Sequence, residues 1–335
     1  MRIATYNVEW FTNLFDRRGK LLEDAEPSSR YGVTRAEQLG ALGIVFTAID
    51  ADAIMIIEAP DNNRRRQTVP MLERFAHHFG LRTRSALIGY PNETQQEIAL
   101  LYDPDVLRAR HDPKNDAVPR FDGSYRIDLN TDAEAETVSF SKPPLEVAVT
   151  TKSGKRLRLI GVHIKSKAPH GANSPDAEKR LAIENRRKQL AQCIWLRERV
   201  EQHLAAGDNL IVLGDFNDGP GIDEFESLFG RSGVEIVLGE ASPLPLRLRD
   251  PHAHALLMHP TAAAPSSARF YLPEQGQFFT ALLDYIMLSP GLCATTPKWR
   301  IWHPFDDPVC YRTPELREAL LQASDHFPVS VDLAL

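Results

Sequence analysis

The stretch Leu210-Ile211-Val212-Leu213-Gly214-Asp215-Phe216-Asn217 constrains this chain more than any other. Four branched aliphatics ending on a glycine predict a strand buried on both faces, the kind that needs further layers to cover it. Side chains alternate along an extended backbone, so Asp215 and Asn217 are expected to point one way and Phe216 back into the core. Polar groups projecting from the tip of a buried strand are where α/β proteins tend to place their chemistry. Asp, Asn and Gly are also common turn formers, and a plain strand exit accounts for the same residues. The rest of the chain decides between the two.

Several other segments follow the same design. Ile3 to Val8 reads as a strand carrying Asn7 and then Glu9, two residues apart and so on one face. Ala53 to Ile57 is a second buried strand and ends on Glu58. Arg156 to Ile160 forms the second arm of a hairpin with Leu145 to Thr150 and continues through His163 and Lys165, again two apart. Between it and the 210–213 strand, Ser174-Pro175-Asp176 opens a long helix with a cap, a proline at the first helical position and acids in the first turn; it runs to Gly207. Strand, helix and strand make a parallel crossover. Thr34-Arg35-Ala36-Glu37 is a capping box before a helix with Leu39, Leu42, Phe46 and Ile49 at helical spacing. Further on, Phe278 to Leu288 reads as one strand with Asp284 inside it, a carboxylate that must be paired if buried. Ser324-Asp325-His326 then sets a carboxylate beside an imidazole before a last strand, Val329 to Leu333. A short helix is expected around Asp223 to Phe229, while residues 110–141 and 231–280 carry weak signals.

Composition excludes some classes. The 335 residues suggest about two domains of ~150 or one large layered domain. With 39 Lys and Arg against 45 Asp and Glu, the net charge of −6 argues against binding nucleic acid mainly by charge. Arg64-Arg65-Arg66, Lys165 and Lys167 remain as candidate phosphate contacts, because guanidinium forks suit phosphate. Cys193, Cys293 and Cys310 lack metal-ligand spacing and fit a reduced, cytoplasmic protein. No apolar run spans a bilayer, and Arg2-Ile3-Ala4-Thr5-Tyr6-Asn7 reads as folded strand rather than a secretion signal. His252, His254 and His259 lie in an Ala- and Pro-rich stretch and read as surface histidines rather than ligands.

Asn7, Glu58, the His163 strand, Gly214-Asp215-Phe216-Asn217, Asp284-Tyr285 and Ser324-Asp325-His326 together, in this order, resemble the motifs of the endonuclease/exonuclease/phosphatase superfamily. The resemblance covers nearly the whole chain. It implies the deoxyribonuclease I-like fold: α/β, a four-layered sandwich of two packed mixed β-sheets flanked by helices, as one domain over 1–335. It also implies a divalent-metal-dependent phosphoesterase. Glu58 then holds the metal with Asn7 beside it, Asp325 takes a second metal or steadies the site, and Glu9 sits near. Such oxygen donors suit Mg²⁺, with Mn²⁺ as a substitute. Asp215 orients or deprotonates the attacking water, Asn217 holds a phosphate oxygen, His163 contacts phosphate, and His326 acts on phosphate or proton with Asp284 fixing its tautomer. Two features depart from the pattern: Ala59-Pro60-Asp61 follows Glu58, and Ile57 stands where many relatives carry Gln.

The expected activity is a nuclease acting on DNA or RNA, in a monomer without a membrane anchor. A phosphatase or phosphodiesterase for a small or lipid headgroup substrate is the second reading, which the acidic net charge favours. A non-catalytic binding protein is the third, and against it stands the presence of Glu58, Asp215 and His326.

Overall fold

In the computed structural model, which describes residues 1–90, 96–127, 136–169, 171, 173–220, 230–258, 264–272 and 275–335, strand alternation sorts side chains into separate cores. The expected helix over 223–229 and His259 lie outside these residues. The strands are Arg2–Asn7 (β1), Ala53–Ala59 (β2), Ser85–Ile88 (β3), Glu97–Tyr102 (β4), Leu107–His111 (β5), Tyr125–Ile127 (β6), Glu136–Val138 (β7) and Leu145–Thr151 (β8). Arg156–His163 (β9), Leu210–Asp215 (β10), Ala268–Leu272 (β11), Gln277–Ala281 (β12), Asp284–Leu288 (β13), Lys298–Ile301 (β14) and Val329–Asp332 (β15) follow. One six-stranded sheet has the order β14-β15-β1-β2-β4-β3, and a five-stranded sheet the order β13-β10-β9-β8-β5. Both are mixed: β1 runs parallel to β2, and β9 parallel to β10 as the crossover requires. The remaining pairs in both sheets are antiparallel.

The two sheets pack face to face. Ile3, Met55 and Ile57 of the first share one core with Leu159, Ile211, Leu213 and Ile286 of the second. A Cβ on Gly161 would come 2.4 Å from the Met55 sulfur, so the Met55 side chain of the first sheet fills the space left open at residue 161 of the second. On the outer side of the first sheet lie the helices Arg35–Ile49 (α1) and Thr68–His78 (α2) and the helix Pro314–Ala323. The Thr34–Glu37 capping box forms as the sequence predicts. Such a cap contributes about 1 kcal/mol, a small term beside the burial of Leu42, Phe46 and Ile49. The helix Pro175–Ala205 (α3) covers the second sheet with Leu190, Trp195, Leu196 and Val200. This is the four-layered arrangement the resemblance implies.

Near its C-terminal end α3 is fastened to the sheet by ionic contacts as well as apolar ones. The buried Arg199 guanidinium lies 3.3 Å from Glu146 of β8. Burial raises the Glu146 carboxyl to about 7, although Arg199 pulls it down. A carboxyl raised on folding favours the folded state most below its unfolded value and loses that advantage as pH rises through the folded one. The stability of wild type relative to Glu146→Gln is therefore expected to fall between about pH 4.5 and 7. Paired thermal unfolding curves across that range test it, and a pH-independent difference rejects it.

Two sequence expectations need correction. Phe278 to Leu288 is not one strand: it breaks at Leu282-Leu283 into β12 and β13, which belong to different sheets. Asp284 is therefore the first residue of β13 rather than an interior one. Within the hard-to-read 231–280 segment, β11 and β12 pair as an antiparallel hairpin.

Candidate active site

The inward-facing side chains of the strands fill the core between the sheets until, at one end, they turn polar. On β9 the inward series is Leu157, Leu159, Gly161, His163. On β10 it is Ile211, Leu213, Asp215, and on β13 it is Leu288, Ile286, Asp284. Register places His163, Asp215 and Asp284 side by side in one row across three strands. Across from them, β1 ends its inward series of Ile3 and Thr5 with Asn7, whose Nδ2 donates to Asp215 Oδ2 at 3.0 Å. Hence the four residues meet by the alternation that buries the aliphatics below them.

Glu58 arrives differently. Alternation on β2 sends Met55 and Ile57 inward and Ile54 and Ile56 outward, so regular backbone would turn Glu58 away from the site. A β-bulge falls between Ile57 and Ala59, with Glu58 at φ 61, a strained region for a non-glycine residue. The bulge re-aims the carboxylate, which lies 3.9 Å from His163 Nε2 and accepts from Gln96 Nε2.

Asn217 and Asp215 do meet, but not by extended alternation. Asn217 has φ 49, and its backbone N–H donates to Asp215 Oδ1 at 2.7 Å in a side-chain turn. Both hydrogens of its amide are committed, to Asp215 Oδ2 and to the Ile164 carbonyl, each at 3.1 Å. That pattern fits shaping the turn better than the expected hold on a phosphate oxygen. Gln189 of α3 secures the adjoining strand ends by donating to the carbonyls of Lys165 and Asn217 at 3.0 and 2.9 Å. Behind the turn, the buried Asp218 carboxylate accepts from Arg186, Lys167 and the Gly233 N–H. Lys167 therefore faces Asp218 rather than a substrate.

The two histidines are held in opposite states. His163 is pushed well below its ordinary pKa by burial, then by Lys142 and His326, and is neutral. Lys142 Nζ, 3.2 Å from His163 Nδ1 and 2.8 Å from Gln96 Oε1, donates to both. For His326, burial opposes charge, but Asp284 outweighs it by charge and hydrogen bond, with Asp215 and Asp325 adding, and the imidazole is held well above its usual value. His326 Nδ1 donates to Asp284 Oδ2 at 2.7 Å, and Ser267 Oγ donates to the same oxygen at 2.8 Å. Asp215 is raised to about 7 by burial, against the pull of His326 and helped by Asp284 and Glu58. Environments that drive titratable groups apart in this way mark candidates for acid and base partners.

Among the described residues, Asp215, Asp284 and His326 form the one cluster with ligand atoms close enough together to hold a metal. Within it His326 Nδ1 and Ser267 Oγ are both already bonded to Asp284 Oδ2, so the trio holds together as a hydrogen-bonded network. A hard cation fits beside it. Asn7 Oδ1 is buried with no partner among the described residues. Burial, and Asp325 nearby, raise both Glu58 and Glu9, the latter to about 7 despite its ion pair with Arg30. Carboxylates that disfavour one another's charge, next to an unsatisfied amide oxygen, are the donor set such an ion satisfies.

The remaining candidates divide. Arg64 and Arg65 are exposed on the 61–66 loop, while Arg66 is committed to Thr12 Oγ1 and Asp61 at 3.0 and 3.3 Å and braces that loop instead. Lys165 lies half-buried past the end of β9, with its backbone N–H donating to Gln192 Oε1. Lys142 and Gln96 were missed from sequence, since a lysine before Pro143-Pro144 and a lone loop glutamine carry no signal of their own. His252 sits 3.8 Å from Asp250 on a short helix, apart from the site.

Beside His326, the β11–β12 hairpin walls a cleft of about 450 Å³. The Arg269 N–H donates to the Asp325 carbonyl at 2.7 Å, and the Phe270 ring meets the His326 ring edge-on at 5.5 Å. The Arg269 guanidinium stacks 3.2 Å over Phe278, whose ring lies 5.1 Å from Tyr271. Phe278 and Tyr271 are about half exposed, at 50% and 47%.

Two packed mixed sheets with helices outside, and a polar row of carboxylates and histidines closing the core between them, define a phosphoesterase fold. The chain belongs to the endonuclease/exonuclease/phosphatase family, whose model matches residues 4–326. No curated protein matches the sequence. Among solved structures, an AP endonuclease from Archaeoglobus fulgidus aligns over all of both chains with a TM-score of 0.56 at 12% identity. The 3′ phosphatase NExo from Neisseria, bound to product DNA hairpin, also aligns over all of both chains, with a TM-score of 0.50 at 15% identity. At such identities the likeness is one of fold. Among the described residues, no helix is long and apolar enough to cross a membrane.

Proposed function

We propose that this protein is a divalent-metal-dependent phosphodiesterase that acts on nucleic acid, as a single domain. The observation that carries the hydrolytic part is the row His163–Asp215–Asp284, closed by Asn7 on one side and His326 on the other. Glu58 and Asn7 would hold the cation, with Glu9 and Asp325 alongside; Mg²⁺ or Mn²⁺ bound there supplies positive charge for a nonbridging phosphate oxygen. Asp215, raised to about 7, is suited to orient a water and take its proton near neutral pH. The His326 imidazolium, kept in one tautomer by Asp284, faces the developing negative charge. Neutral His163, with Lys142 on its other nitrogen, offers a further N–H to a phosphate oxygen.

Nucleic acid is favoured over other phosphodiesters by the cleft next to His326. Half-exposed aromatic rings with a stacked guanidinium are what an unpaired base binds, at about 1–3 kcal/mol per stacked base. A small phosphoester is the second reading, supported by a cleft volume in the range of small-ligand sites.

The test is hydrolysis of supercoiled plasmid and of bis-p-nitrophenyl phosphate with Mg²⁺, Mn²⁺ or EDTA. Cutting of both with metal, and of neither in EDTA, is expected. Phe278→Ala should slow plasmid cutting roughly 10-fold or more, by the loss of one stacked base, and spare the small diester. Turnover of the small diester alone moves the assignment to the second reading. Turnover of neither substrate with any metal rejects the enzyme.

A further inference from the structure

Away from the active site, at the opposite end of β9, the outer face of the second sheet carries an ordered set of arginines. Register places Arg108, Thr150 and Arg156 in one row across β5, β8 and β9, and Arg110, Ala148 and Arg158 in the next. Each row has an arginine on both flanks and a small residue between. The rows lie two residues apart along the strands, about 6.7 Å, and the flanking strands of a row are about 9.6 Å apart. Alternation puts all four arginines on the face turned away from the inter-sheet core, to which Leu107, Val147, Val149, Leu157 and Leu159 contribute. Helix α3 covers the neighbouring row through Arg199 on Glu146, then ends at Ala205, and Gly207 at φ 74 turns the chain away. The corner is left open as a cleft of about 620 Å³, floored by Ala148 and Thr150.

The charges there do not cancel. Asp112 serves both Arg110, at 2.7 Å, and Arg158. Asp208, at the rim, lies 2.8 Å from His203. Arg108 and Arg156 are exposed and form no ion pair among the described residues. In a chain of net charge −6, this is a local excess of positive charge on a small-residue floor. Along each flanking strand the arginines repeat about every 6.7 Å, a linear spacing of charge that an extended anion with repeating phosphates can follow.

We propose that this four-arginine face is a second binding site, for the phosphodiester backbone of a nucleic-acid strand. It anchors the strand at a distance from the chemistry, seven residues along β9 from His163. Such an anchor raises the local concentration of substrate at the active site without touching the reacting bond. The inference rests on the nucleic-acid reading above, and binding measured without metal separates the two.

The experiment compares wild type with the double variant Arg108→Gln/Arg156→Gln, and with Arg108→Lys/Arg156→Lys, which keeps the charge. Binding of a short fluorescein-labelled oligothymidylate in EDTA is followed by anisotropy over a salt series. For the glutamine variant, the plot of log affinity against log salt is expected to flatten by about 1.4, two single-strand phosphate contacts at about 0.7 each. The lysine variant should retain most of the slope. Hydrolysis of bis-p-nitrophenyl phosphate should not change in either variant, which also reports that the active site is folded. An unchanged slope in the glutamine variant overturns the proposal, as does a wild type that does not bind the oligonucleotide in EDTA. Displacement of the oligonucleotide by inorganic tripolyphosphate at equal phosphate concentration, with no preference for the strand, also overturns it in favour of a site for compact polyphosphates. Failure of plasmid cutting with intact, arginine-dependent binding rejects the nuclease reading and leaves this one standing.

Discussion

Replacing His326 by alanine is expected to lower metal-dependent hydrolysis by about 10²- to 10⁴-fold, the range for removing one positioned acid–base group. The imidazole is 5% exposed, its Nδ1 is 2.7 Å from Asp284 Oδ2, and Phe270 packs against its ring. It is therefore one oriented, charged donor rather than a mobile side chain. The loss should fall mainly on kcat, because the charge it meets develops on the way to the transition state. Asp284→Asn should give a smaller loss with an altered pH–rate profile, since the imidazole stays but loses the carboxylate that keeps it charged. Ser267 would remain to place residue 284 by its hydrogen bonds to the backbone N–H and side chain. Steady-state kinetics on bis-p-nitrophenyl phosphate, with circular dichroism to check folding, test this. A folded His326→Ala protein with wild-type turnover would remove His326 from the chemistry.

The largest stability loss is expected at Gly214→Ala. Gly214 has φ 137, and a Cβ built there would sit 2.1 Å from the Val162 carbonyl oxygen of the neighbouring parallel strand. That contact is with backbone inside the β9–β10 pair, so relief requires moving one strand that is buried on both faces. Overpacking and φ strain combine to a cost of about 3–5 kcal/mol. For a chain of this size this corresponds to a fall in Tm on the order of 10 °C. The same shift would displace Asp215, the next residue, so activity should fall even where the protein stays folded. A Gly214→Ala protein melting within about 2 °C of wild type would show that the strands separate more easily than their packing indicates.

Much of the candidate site was legible before any fold was known. Asn7, His163 and Asp215 each stand at the end of an apolar strand, at the inward position that continues the series of buried aliphatics. Their convergence follows once the strands are paired at matching heights. The capped helix and the parallel crossover were also readable, because capping and apolar spacing are local. Asp284 was recognised as a carboxylate in need of a partner, although its strand was drawn too long. The Leu282-Leu283 break is invisible to hydrophobicity, as both residues are apolar and buried on either side of a change of sheet.

By itself, the sequence determined which strands are buried on both faces, which of their tips carry polar groups, and hence a layered α/β protein with a candidate site at those tips. Those features depend on the two-residue period of a strand and the burial of its apolar members. Only the tertiary structure decided how Glu58 enters the site, because a bulge is a property of pairing between β2 and β4 and not of either strand. It alone brought Lys142 and Gln96 to His163 and Glu58, and gave Arg66 to Asp61 and Lys167 to Asp218. Which cation keeps its charge for a ligand and which spends it inside the protein depends on neighbours distant in sequence, and a linear pattern carries no record of them.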